Sequence, residues 1–228
     1  MHCYLLSLVL GLSVALSSAE SDKIRVVLAG DSTVTDSEGW GAAFAERLTS
    51  EAKCINLAVG GRSSKSFRDE GHWKKVLKAK PDFVLIQFGH NDMPGKGPKR
   101  ETDPETTFRE NMTRYVREAR AAGAQPILIT SLTRRIWVDG RIQGELKPWA
   151  DATRKVAEEE KIPLIDLFAR SVELHEKLGL EASAEFNPPG KNGKIDRTHL
   201  FGTGADIIAN LIVEELRGAV PELAKFLE

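Results

Sequence analysis

The chain has 228 residues, 41% hydrophobic and 29% charged, which suits one globular domain with a sizeable core and would leave two domains cramped. Its formal charge is −1 at pH 7 with a pI near 6.6, so no basic surplus points to nucleic acid.

The first stretch, Tyr4 to Leu16, is an apolar run of signal-peptide length, and Ser17 and Ala19 satisfy the small-residue rule for cleavage after Ala19. Residues 1–19 therefore read as a secretory signal and 20–228 as the folded domain, secreted or periplasmic and free of the membrane once the signal is removed. Met1-His2-Cys3 carries no Lys or Arg, so a retained anchor is the alternative, although the run is short for a full span. Cys3 precedes the run and cannot be a lipid-modified cysteine at the cleavage site. Cys54 is then the lone thiol, and its apolar neighbours predict a buried, inert one.

Ile24 to Ala29 is a short β-branched run ending in Gly30-Asp31-Ser32-Thr33, the way a strand delivers small polar groups to the C-terminal edge of an open α/β sheet. Trp40, Ala43, Phe44 and Leu48 then recur at helical spacing. Cys54 to Val59 predicts a second strand, closed by Gly60-Gly61-Arg62-Ser63-Ser64, and Trp73, Val76 and Leu77 a short helix before Pro81. Asp82 to Phe88 is the clearest buried strand and ends in Gly89-His90-Asn91-Asp92. Met93 to Asp103, rich in Pro, Gly and charge, predicts a surface loop beside that strand end.

Pro104 opens a helix with Phe108, Met112, Tyr115, Val116 and Ala119 on one face, closed by Gly123. Gln125 to Ser131 predicts a fourth strand, followed by a polar, aromatic loop from Arg134 to Gly140. Trp149, Ala152, Val156 and Ala157 mark the next helix, Pro163 to Leu167 a fifth strand, and Phe168 to about Leu178 another helix. Glu181 to Arg197 reads as a long loop of the functional kind, and Ile207, Ile208, Leu211, Ile212 and Leu216 as the last helix. The alternation predicts a single doubly wound, flavodoxin-like α/β domain: about five parallel strands, helices on both faces, all strand C-termini at one edge.

That edge collects chemistry. Serine hydrolysis needs a nucleophile, a base, a group that holds the base in the right tautomer, and donors for the oxyanion. Ser32 is the candidate nucleophile, and Asp196-Arg197-Thr198-His199 offers an orienting acid and a base on one side of a turn. The Ser32 and Gly61 backbone N–H groups and the Asn91 carboxamide are candidate oxyanion donors; a carboxamide donates without titrating. Each piece alone has a plain explanation as a turn, cap or loop residue. Three of them follow consecutive parallel strands.

No Gly-x-Ser-x-Gly elbow is present, Lys65 lacks the glycine pattern of a phosphate loop, and Gly202-Thr203-Gly204 lacks the third glycine of a dinucleotide fingerprint. His72, His90, His175 and His199 show no metal-ligand spacing, so neither a metal nor another cofactor is expected.

The ordered set Gly30-Asp31-Ser32, Gly61, Gly89-His90-Asn91-Asp92 and Asp196-x-x-His199 resembles the four blocks of the SGNH (GDSL-like) hydrolase superfamily. Gly60 to Ser66, Phe88 to Asp92 and Leu174 to Gly179 resemble its rhamnogalacturonan acetylesterase branch. The resemblance implies Ser32 as nucleophile, Gly61 and Asn91 with the Ser32 amide as oxyanion donors, Asp196 as orienting acid and His199 as general base. Asp31 then supports the loop, and His90 braces Asn91 or meets substrate. The same resemblance implies a serine esterase that removes O-acetyl groups from a plant cell-wall polysaccharide such as rhamnogalacturonan or xylan; with the signal-like first residues it is expected to be exported, and it is expected to be a monomer. A lipid or aryl esterase, or a non-catalytic polysaccharide-binding protein, is the alternative. Arg62, Trp73, Arg134, Trp137 and His175 are candidates to line a sugar cleft, each with a core or surface role equally open.

Overall fold

The computed structural model of the protein describes residues 23–190 and 193–228, so the expectations for the signal segment and Cys3 lie outside the described residues. The central sheet has five parallel strands: β1 (Ile24–Gly30), β2 (Ala52–Asn56), β3 (Phe83–Gln87), β4 (Gln125–Ile129) and, after a two-stranded hairpin of β5 (Trp137–Val138) and β6 (Arg141–Ile142), β7 (Leu164–Ile165). Their order is β2-β1-β3-β4-β7.

Both faces of the sheet are covered, which is why the strands read as continuous apolar runs rather than alternating ones. Side chains still alternate by pleat. Val26, Leu28, Phe83, Leu85, Ile127 and Ile129 pack on one face, against α1 (Gly41–Ala45), α7 (Thr203–Ala219) and α8 (Pro221–Ala224). Val27, Ala29, Val84, Ile86 and Leu128 pack on the other, against α3 (His72–Lys78), α4 (Thr107–Ala121) and α5 (Lys147–Glu160). The expected α4 stripe of Phe108, Met112, Tyr115, Val116 and Ala119 is fully buried. Among the described residues no helix is long and apolar enough to cross a membrane.

Several boundaries move. The second strand begins at Ala52 and ends at Asn56, because Leu57 N and Val59 N continue only as single bonds to Leu28 O and Gly30 O. The fifth sheet strand shrinks to Leu164–Ile165, since Asp166 turns to cap α6 (Leu167–Ala184) through a bond from Ala169 N. The first piece of that helix ends at Leu178, as expected, because Gly179, at φ 78°, is non-helical. A second helical piece then runs to Ala184 where a loop was expected from Glu181, and Ser183 Oγ donates back to the His175 carbonyl across the kink. A short α2 (Ser66–Asp69) also follows the second glycine block.

The chain runs from β1 outward to β2 and then returns to place β3 on the other side of β1. This reversal opens a crevice beyond the C-terminal ends of β1 and β3, where doubly wound sheets bind ligands. Ser32 and Asn91 follow those two strands.

Candidate active site

The turn after β1 is fixed before Ser32 can do anything. Asp31, fully buried, accepts from Thr33 N at 2.9 Å and from Thr33 Oγ1 at 2.7 Å. Thr33 Oγ1 in turn accepts from Gln87 Nε2 at 2.7 Å, and Gln87 Oε1 from the Trp40 indole at 3.1 Å. Burial alone would raise the Asp31 pKa, but the His90 ring 3.5 Å away and the Thr33 hydrogen bonds outweigh it and hold the carboxyl below its ordinary value. Thr35 closes the turn, its N–H and hydroxyl both donating to the Ser32 carbonyl. Ser32 is left with its side chain at the edge of the crevice.

From the far end of the domain, the segment after α6 brings His199 to Ser32. His199 Nε2 lies 2.7 Å from Ser32 Oγ, and His199 Nδ1 lies 2.7 Å from Asp196 Oδ2. The other Asp196 oxygen accepts from the backbone N–H of Thr198 at 2.9 Å and of His199 at 3.0 Å. Burial opposes the Asp196 charge, yet the His199 ring, these two N–H groups and the His199 charge bring its pKa down to about 2. Asp196 is therefore an anion throughout the neutral range, fit to stabilise an imidazolium.

Gly60 packs against Ser32, where a Cβ would sit 3.5 Å from Ser32 Cβ, and Gly61 holds φ 76°, a conformation that favours glycine. Neither the Gly61 N–H nor the Ser32 N–H has an acceptor among the described residues. Asn91 Nδ2 donates one hydrogen to the Arg62 carbonyl at 3.3 Å, which orients the carboxamide. Ser32, Gly61, His90, Asn91, Arg134 and His199 line a cavity of about 240 Å³, together with Glu38, Gly60, Lys96 and Thr198.

Several of the candidate sugar contacts do not join this cavity. Trp73 is a core residue: its indole donates to Glu118 Oε2 at 2.7 Å and its ring meets Tyr115 edge-on. His175 is fully buried in the α6 kink, its Nδ1 3.1 Å from Ser183 Oγ and its ring against Phe186, and burial with the Arg135 charge lowers its pKa to about 4. The Arg62 side chain turns aside to Glu70 at 2.8 Å and to the Gly60 carbonyl at 2.9 Å. Trp137 lines a separate depression with Leu180, Ile195 and Arg197. His90 is buried, with Nδ1 3.5 Å from Asp31 Oδ2 and its carbonyl accepting from Arg134, so it braces the Asn91 loop while lining the cavity. Cys54 is partly buried, and burial followed by the Asp36 charge pushes its thiol up to about 12, outside the range of a reactive thiolate.

Arg135 and Asp92 also matter to this site: no motif marks Arg135, and Asp92 closes the Gly89-His90-Asn91-Asp92 block without a role assigned to it from the sequence. Arg135 is buried and ties the His199 segment down: its N–H bonds the Arg197 carbonyl at 2.9 Å, its Nε bonds Asn187 Oδ1 at 2.7 Å, and its Nη2 donates to the His199 carbonyl. Burial, partly offset by Asp196, lowers its pKa to about 10. Asp92 joins two loops, accepting from Ser64 N at 3.1 Å, Ser64 Oγ at 2.6 Å and Thr102 Oγ1 at 2.9 Å. Their signal was position: both stand just beyond the ends of sheet strands.

The chain and its fold have counterparts among known proteins. The chain is 36% identical over 209 residues to the rhamnogalacturonan acetylesterase RhgT of Bacillus subtilis, covering 84% of this chain and 88% of RhgT. A crystal structure of the YxiM protein of Bacillus subtilis superposes with a TM-score of 0.71 at 28% identity, covering 86% of this chain and 56% of that one, so the chain spans little more than half of YxiM. A catalytic mutant of Axe2, an acetylxylan esterase from Geobacillus stearothermophilus, shares the fold at a TM-score of 0.64 and 17% identity, covering 85% of this chain and 94% of Axe2. Residues 28–200 match the GDSL-like lipase/acylhydrolase family, and with that span and the relation to RhgT the chain belongs to this family of carboxylic ester hydrolases.

Proposed function

We propose that the protein is an exported serine acetylesterase acting on an acetylated plant cell-wall polysaccharide, rhamnogalacturonan in the first instance. The observation that carries the reading is the relay Ser32 Oγ, His199, Asp196, with both contacts at 2.7 Å and uncommitted N–H donors beside the serine. Ser32 attacks the acetyl carbonyl as His199 Nε2 takes its proton. The Ser32 and Gly61 N–H groups and Asn91 Nδ2 stabilise the oxyanion, and His199 returns the proton to the departing sugar hydroxyl. Water, activated by the same base, then frees acetate and Ser32. The polymer is suggested by the similarity to RhgT, and export by residues 1–19.

Acetate release across acetylated rhamnogalacturonan, xylan and mannan tests the substrate: the reading expects rhamnogalacturonan to be deacetylated fastest, and a preference for a neutral polymer would overturn it. A second reading, an aryl or longer-chain acyl esterase, draws support from a groove of about 380 Å³ beside Asp196 that exposes Ile195 and Phe201. A series of chromogenic esters separates the two. Turnover that falls as the acyl chain lengthens beyond acetyl supports the first, and a rise supports the second.

A further inference from the structure

The cavity around Ser32 carries positive charge that ester hydrolysis does not use. Lys96 and Arg134 both line it, and Arg100 stands beside them with its guanidinium 3.4 Å from the Gly61 carbonyl. Arg134 has Glu145 at 3.5 Å, but neither Lys96 nor Arg100 has an ion pair among the described residues. Glu38 is the one carboxylate in the cavity lining among those residues, and it is exposed to solvent. Burial, then the charges of Arg134 and Arg100, lower the Lys96 pKa, and the buried Asp31 charge offsets them only in part.

The loop that presents Lys96 is held in place. Thr102 N bonds the Asp92 carbonyl at 2.9 Å, Gly97 N bonds Glu101 Oε1 at 2.6 Å, Arg100 Nε bonds the Lys96 carbonyl at 2.8 Å and Lys65 Nζ bonds the Pro98 carbonyl at 2.9 Å. A fixed group of like charges is costly in the empty protein and is relieved by an anion. The reaction's own oxyanion does not supply that need, since neutral N–H donors meet it on the Ser32 side.

We propose that Lys96, with Arg134 and Arg100, forms a subsite for a carboxylate of the substrate, the uronate group of a sugar next to the acetylated one. Ammonium and guanidinium groups give a carboxylate short, charge-assisted hydrogen bonds, and a loop whose backbone is already tied down leaves only side-chain freedom to be lost. The assignment rests on the carbohydrate reading of the Ser32 site and goes beyond it by naming the residues that discriminate acidic from neutral polymers.

Calorimetric titration of the full chain with an unacetylated rhamnose–galacturonate oligosaccharide, and with the same oligosaccharide after reduction of its carboxyls to alcohols, tests it. The wild type is expected to favour the acid form by about ten- to a hundredfold, and the preference to shrink with added salt. Lys96→Met is expected to lower affinity for the acid form at least tenfold and to bring the two probes close to equality. Equal binding of both probes by the wild type, no binding of either, or a preference that survives in Lys96→Met would overturn the subsite. An acid preference alongside failure to release acetate from any polymer would instead sink the esterase reading and leave the subsite standing.

Discussion

His175 shows how one side chain's surroundings decide what it is for. In the α6 kink it meets Ser183, Phe186 and the charge of Arg135, and its ring is shut off from solvent. Its folded-state pKa of about 4 lies below the ordinary 6.5, so the unfolded chain binds the extra proton first. The neutral ring's contribution is complete above about pH 6.5 and is lost as pH falls through about 4, a difference on the order of 3 kcal/mol for a shift of this size. Urea denaturation of wild type and His175→Gln between pH 7 and 4 checks this: the wild type should lose more stability on acidification, and parallel curves would refute the assignment. The same surroundings explain why the sequence alone suggests a sugar contact at this position. A histidine in a polar helix carries no sequence mark of burial, because what buries it is Phe186, beyond a glycine that reads as a helix stop. Trp73 misleads likewise: an indole on a short helix suits a cleft or a core equally until Glu118, far along the chain, takes its N–H.

Between elements, Asp92 is the joint between the loops that carry Gly61 and Asn91. It follows Asn91 at the end of β3 and grips Ser64, in the block that carries Gly61, while Ser64 also meets α4 through Tyr115 Oη on its carbonyl at 2.7 Å. Burial pushes the Asp92 carboxyl up to about 7; donors from Ser64 and Thr102 oppose that rise, and the Asp31 charge adds to it. Here the folded value exceeds the ordinary 3.8, so the Asp92 contribution is fully present below about pH 3.8 and is lost as pH rises through about 7. Asp92→Asn would turn an amide donor toward the Ser64 N–H, costing about 1–3 kcal/mol of stability and displacing Gly61 relative to Asn91. Steady-state kinetics should show kcat falling more than KM, since the displaced donors act on the transition state; an unchanged kcat would mean that the loops hold their positions without it. Arg135 plays the corresponding part for the base segment, and Arg135→Met should lower kcat by loosening His199 while leaving the sheet intact by circular dichroism. Wild-type turnover in that variant would show that the segment is fixed by other contacts.

At the scale of the whole molecule, the order β2-β1-β3-β4-β7 puts a reversal between the strands that end in Ser32 and Asn91. Strands β1, β3 and β4 were legible because both their faces are buried, which forces unbroken apolar runs. The motif residues after them were legible because small polar groups and glycines at strand ends have few other uses. Less legible was everything that depends on distant segments meeting. The second helical piece after Gly179 folds back on the first through Ser183, which the sequence does not mark, and Lys96 and Arg135 read as ordinary solvated loop charges until the fold placed them at the cavity and behind His199.

Whether Ser32, His199 and Asp196 work as one catalytic unit is tested most directly by initial rates on a chromogenic acetate for wild type, Asp196→Asn, His199→Ala and the double variant. Since the orienting acid acts through the base, each single change should cut kcat by about a thousandfold or more, and the double variant should be scarcely worse than His199→Ala alone. Losses that multiply in full across the cycle, with all four proteins folded, would contradict the unit and require a different base for Ser32.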